Sequence, residues 1–222
     1  MTNPIFKILF LAFLPLNLWA QPLPEGPGNL FLHEKISDLN TFKAAFQAQA
    51  QNLKGHGFLA YSLHRDLKDL HSIILTLKCS NLRKGVEFIQ SRPFQSAMEP
   101  AGVKNILLWE GLNAKDRQYA NHPQKKGGIV IARNVVKSYK FWKQCFDAEG
   151  GHHHESRGYT PSNYSIHYLL GKPEVALVVH EASDVSKAPA FMTSDHMKGI
   201  MESTGVTQID IWYGINLEEG LF

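Results

Sequence analysis

The sequence predicts an α+β protein made of one β-α-β-β-α-β unit written twice in tandem. Three observations point there. The chain matches itself when slid by 103 positions. Strand-like and helix-like patterns recur in the same order in both copies. One copy alone would leave one face of its sheet bare, and a second copy supplies the cover.

The match places Ser62-Leu63-His64 on Ser165-Ile166-His167, Phe88 and Ser91 on Phe191 and Ser194, and Met98-Glu99 on Met201-Glu202. It continues through Gly102-Val103 on Gly205-Val206, and Trp109, Gly111 and Asn113 on Trp212, Gly214 and Asn216. Between Ser62 and Asn113 there are 15 identities in 52 ungapped positions. Upstream, Phe42 and Phe46 match Trp142 and Phe146 across a short gap.

The second copy opens on a β-rich run, residues 129–132, after Gly127-Gly128. Over 138–148, Tyr139, Trp142, Cys145 and Phe146 recur at spacings of three and four, the mark of an amphipathic helix, with Ser138 as its N-cap. A polar loop (149–158) leads to a strand at 164–170, a turn at Gly171-Lys172-Pro173, and an apolar strand at 175–179. Ser183-Asp184 caps a helix running to Met192, a further helical turn spans 195–202, Gly205 stops it, and a last strand covers 207–215. The first copy reads as strand 29–33, helix 38–53, strands 58–64 and 70–78, helix 81–98 and strand 104–112. This is the ferredoxin-like split βαβ order. It sets the expected division: signal peptide 1–20, N-terminal linker 21–28, repeat 1 at 29–113, linker 114–127, repeat 2 at 128–216, and a C-terminal tail 217–222.

Residues 1–20 carry one charge, Lys7, ahead of an apolar run ending in Leu18-Trp19-Ala20. A basic start, an apolar centre and a small residue at the cut site describe a secretory signal peptide, so a periplasmic or secreted protein is expected. The run is too short to span a bilayer comfortably, so no membrane attachment is expected after cleavage. A net charge of +3 with no cluster of Lys and Arg argues against nucleic-acid binding. Two cysteines, Cys79 and Cys145, read as small core residues, with a disulfide as the alternative that export permits.

Trp142-Lys143, Phe146-Asp147, Glu181, Asp184, Ala188, Phe191, Ser194, Lys198, Met201 and Gly205-Val206 together resemble the dimeric α/β-barrel superfamily, in particular its small proteins related to antibiotic-biosynthesis monooxygenases. The resemblance covers both copies. It implies two ferredoxin-like units packed sheet to sheet as a pseudo-dimeric barrel, here within one chain that is a monomer. It also implies a small-molecule ligand and monooxygenase-like chemistry. Haem-degrading members use an Asn, a Trp and a His around the haem. This chain has those residue types in both copies, but not position by position, so haem remains an open cofactor with no residues assigned to it.

His64 and His167 occupy equivalent strand positions and are the acid/base candidates, since imidazole titrates near neutrality; the alternative is a structural pair kept in both copies. Trp109 and Trp212, with Asn113, Asn216, Tyr164 and Tyr168, are the candidate ligand-binding residues, flat walls and polar ends of a pocket, against core packing and strand-end turns. His152-His153-His154-Glu155 resembles a metal cluster, yet adjacent residues of an extended chain point to opposite sides and the spaced ligand pattern is absent, so no metal site is assigned. Ser91 and Ser194 read as N-caps. No Gly-x-Ser-x-Gly elbow or phosphate-binding glycine loop is present. Three function classes follow: an oxygenase with a pocket between helices and sheet in one or both halves, a non-catalytic ligand-binding module, and an interaction protein with a packed core. Tyr159, Tyr164 and Tyr168 favour the second half as the site.

Overall fold

In the computed structural model, residues 25–103, 107–115, 127–149, 158–169 and 172–222 are described. The first half runs β1 (Gly28–Lys35), α1 (Leu39–Ala48), α2 (Ala50–Gly55), β2 (Phe58–Asp66), β3 (Ser72–Cys79), α3 (Leu82–Gln90), α4 (Arg92–Met98) and β4 (Leu107–Lys115). The second runs β5 (Gly128–Val136), α5 (Tyr139–Glu149), β6 (Tyr159–Leu169), β7 (Lys172–Ala182), α6 (Ala188–Met192), α7 (Asp195–Ser203) and β8 (Val206–Leu221). The eight strands close into one barrel in the order β1-β3-β2-β8-β5-β7-β6-β4, every neighbouring pair antiparallel. Among the described residues, closure leaves no sheet edge to pair with another chain. The halves meet along two seams, β2 with β8 and β4 with β6.

Alternation along each strand divides the side chains between lumen and helix layer. Phe31, Ile74, Ile129, Ile131, Leu177 and Val179 fill the lumen. On the outer face of the first half, Leu30, Leu32, Leu63 and Leu75 pack under α1, α3 and α4 against Phe42, Phe46, Phe88 and Phe94. The outer face of the second half is divided between two smaller clusters, one around Tyr159, Met192 and Tyr213 and one around Trp142, Ile166 and Val178.

Local chemistry sets the helix ends. Asp38 caps α1, accepting the Thr41 amide at 2.7 Å and its hydroxyl at 2.8 Å, and these bonds hold its carboxyl below the ordinary value. Phe42 and Phe46 follow four residues apart, buried and stacked. The segment 81–98, expected as one helix, is two: Ser91 takes extended angles (φ −67°, ψ 144°) and caps α4, and Pro93 in the first turn of α4 has no N–H to continue the helix before it. Ser194 caps α7 in the same way, as its sequence position predicted. Pro189 likewise divides the helix expected to reach Met192 into a 3-10 turn, Val185–Lys187, and the short α6. The expected helix 38–53 also divides, at Gln49.

The last strand differs most from expectation. It does not end at Ile215 but continues through the segment expected as a tail. A register shift between Leu63 and His64 lets residues 218–221 pair with β2. Phe222 then packs against Phe46, Phe58 and Tyr61, and Glu218 accepts the Tyr61 hydroxyl and pairs with Lys43 at 2.7 Å. Cys79 and Cys145 are both free thiols; Cys79 is buried in the first-half core, and its burial pushes the thiol up to about 11. No helix among the described residues is long and apolar enough to cross a membrane.

Candidate functional site

A cavity of about 70 Å³ lies between sheet and helices in the second half. Its floor is Ala132 and Asn134 on β5 with Val178 and His180 on β7, which the β5–β7 ladder sets side by side: Val130 pairs with His180 and Ala132 with Val178. One wall is Trp142 and Phe146 of α5, one turn apart on its inner face. The roof is α6 and α7, through Phe191, Met192, Met197 and Met201.

Two polar side chains stand out in this apolar shell. The His180 ring stacks on Tyr159 at 4.6 Å and 9°, with Tyr164 at 5.6 Å and Phe146 at 6.0 Å. Three aromatic rings therefore set its plane. Asn134 is buried and donates through Nδ2 to the Ala132 carbonyl at 3.3 Å, a long bond that leaves the rest of its amide available to a ligand. An apolar cavity with a few convergent polar groups is the usual form of a small-molecule site. The Trp142 and Phe146 side and the methionine roof are apolar, and Asn134 and His180 are the polar side chains that line the same space.

The first half has the same framework filled in. Where the second half places His180, Asn134, Trp142, Met197 and Met201, the first places Leu77, Glu34, Phe42, Phe94 and Met98, every one of them buried. Phe94 is 2% exposed and Met98 1%, whereas Met197 and Met201 are half-buried over the cavity. Glu34 takes the place of Asn134, and burial pushes its carboxyl up to about 7.

The residues singled out by the repeat lie elsewhere. His64 and His167 are in the lumen, 0% and 1% exposed, each with Nε2 against the hydroxyl of the serine two residues before it, at 3.0 Å from Ser62 and 2.7 Å from Ser165. Each faces an asparagine across a seam: His64 pairs with Asn216 and Asn113 with His167. Trp212 turns into the lumen, its ring 6.3 Å from that of His33, and His33 in turn bonds Asp66 at 2.9 Å. Trp109 pairs with Phe31 and Tyr168 with Leu112 in the ladders; the side chains of Trp109, Asn113 and Tyr168 lie outside the described residues. Of the sequence candidates whose side chains are described, Tyr164 alone stands beside the cavity, against His180. The structure thus gathers His64, His167 and Asn216 at the seams, and brings none of them to the cavity. The run His152-His153-His154-Glu155 is outside the described residues, and among those described no three His, Cys, Asp or Glu gather as a metal site would require.

His180, Asn134, Trp142 and Met197 are not identities of the repeat, and Met201, which matches Met98, carries no sign of a site in the match itself. The signal that could have found them is the converse: positions where the copies differ in polarity or size, Leu77 against His180 and Phe94 against Met197, beside positions where they agree.

No family model matches the sequence, and no curated protein matches it either. Solved structures do. A protein from Lactobacillus acidophilus inferred to be a monooxygenase aligns with a TM-score of 0.60 at 11% identity, over 89% of this chain and 99% of its own. A second inferred monooxygenase, from Fusobacterium nucleatum, gives 0.60 at 11% identity over 88% and 94%. An anthrone oxidase-like protein gives 0.59 at 9% identity over 87% and 93%. At such identities the likeness is one of fold. With the closed order of eight antiparallel strands and the helices outside them, it establishes that this chain has the fold of the monooxygenase-like dimeric α/β-barrel proteins, with both halves of the barrel in a single polypeptide.

Proposed function

We propose that this protein is an exported, monomeric small-molecule oxygenase that takes a flat, largely apolar, electron-rich molecule into the second-half cavity. The observation that carries the reading is the asymmetry of the two halves: one keeps an open aromatic cavity with a histidine and an asparagine in it, the other packs the same space solid. The fold shared with inferred monooxygenases and an anthrone oxidase-like protein supports the reaction class. His180 accepts a proton from an activated C–H or O–H of the ligand, and Asn134 holds the oxygen on which the resulting charge collects. The carbanion or phenolate reduces O2, one oxygen atom entering the product and the other leaving as water, so a methylene becomes a carbonyl with no external reductant. Lys7, the apolar run after it and Ala20 support export.

Anthrone, a flat tricycle with an acidic methylene, is the substrate to test. Oxygen uptake of one O2 per quinone formed, lowered ~100-fold or more in His180→Ala as expected for loss of a general base, supports the reading. Saturable binding without oxygen uptake makes the protein a binding module, and absence of both removes the proposal. The intact mass of protein recovered from the exported fraction, short by residues 1–20, tests localisation.

A further inference from the structure

The two halves also differ in how the helix before the last strand is held. In the first, α4 is fastened by Phe94 and Met98, both driven into the core. In the second, no residue of α7 is buried. Met197, Ile200 and Met201, its apolar positions, are half-buried and rest on the cavity. The helix is joined at each end by a short connection. Before it, Ser194 takes extended angles (φ −67°, ψ 153°), accepting the Met197 amide at 3.2 Å and donating to the Phe191 carbonyl at 2.7 Å. After it, Gly205 takes φ +78°, a left-handed angle open to glycine, and its carbonyl accepts the Lys137 amide at 3.0 Å. Both ends are anchored by hydrogen bonds, whereas the span between them lacks the buried side chains that hold its counterpart.

We propose that α7 is a hinged cover over the second-half cavity, swinging on Ser194 and Gly205 to admit the ligand and closing on it through Met197, Ile200 and Met201. The inference rests on the reading of that cavity as a ligand site. Without a ligand the apolar face of α7 has little to bury, so opening it forfeits little, and local opening is easiest where buried contacts are fewest. A bound flat molecule supplies the missing apolar surface. Unbranched methionine side chains adapt to ligands of different outline better than a phenylalanine would. The first half shows the permanently closed form, in which Phe94 occupies the place of Met197.

Hydrogen exchange on the full mature protein tests this without a known substrate, with 1-naphthol as the flat apolar probe. In the free protein the α7 amides should exchange at least ~10-fold faster than those of α4, and 1-naphthol should slow α7 alone. Met197→Phe should slow α7 towards α4 and weaken naphthol binding; should that variant not fold, the wild-type comparison decides. Exchange of α7 as slow as that of α4 in the free protein overturns the cover whatever the ligand. Fast α7 exchange that naphthol leaves unchanged upholds the hinge and counts against the ligand class proposed for the cavity, so the two failures are distinguishable.

Discussion

Burial assigns the single residues their roles. Glu34 is 3% exposed, and its carboxyl is pushed up to about 7 because burial penalises the charged form. Below pH 4.5, the ordinary value, it is protonated in folded and unfolded chains alike. From there to about 7 the unfolded chain ionises while the folded one keeps its proton, so stability falls as pH rises, by roughly 3 kcal/mol in all. Glu34→Gln should flatten that slope in urea unfolding followed across this pH window. His64 and His167 carry the opposite lesson about repeated residues. Their identity in both copies made them acid/base candidates, and both lie in the lumen at the seams. His64→Ala and His167→Ala should each lower unfolding stability by about 2–4 kcal/mol, through the cavity left and the lost histidine–serine bond, and should leave naphthol binding to the cavity unchanged. Loss of naphthol binding at unaltered stability would return them to the site.

At the scale of elements, the strands were easier to foresee than the helix breaks. Periodicity located β1, β3, β5 and β7 because their apolar runs are buried on both faces. The breaks at Gln49 and Ser91 follow from capping and from Pro93, local signals that a long amphipathic pattern obscures. The end of β8 had no local signal, since Glu218 to Phe222 pair with a strand some 150 residues earlier. Deleting residues 217–222 should therefore cost about 2–5 kcal/mol, the range for aromatic groups lost from a core, through the contacts of Phe222 with Phe46, Phe58 and Tyr61 and the ties of Glu218. Thermal unfolding of the truncated chain checks it; an unchanged midpoint would show those contacts to be dispensable.

At the scale of the molecule, closure makes the halves interdependent. The lumen holds side chains from both, Phe31 and Ile74 from the first and Ile129, Ile131 and Leu177 from the second, and neither half can bury them alone. Calorimetry of the whole protein should show a single cooperative transition despite the internal repeat. Two separate transitions would mean that the seams contribute little. The same closure lets the halves differ: one can be packed solid for stability while the other retains a cavity.

Legible in the sequence alone were the repeat, the order of elements, and the helix caps at Ser91 and Ser194. Each is written in residues close together or in a match of the chain to itself. Tertiary structure alone decided that the matched histidines and asparagines fall in register across the seams, that Leu77 and Phe94 fill in the first half what His180 and Met197 leave open in the second, and that the last residues pair with β2. The physical reason is common to all three. Whether a side chain lines a cavity or a packed core depends on the volumes its neighbours contribute from distant segments, and composition and spacing along the chain do not record that volume.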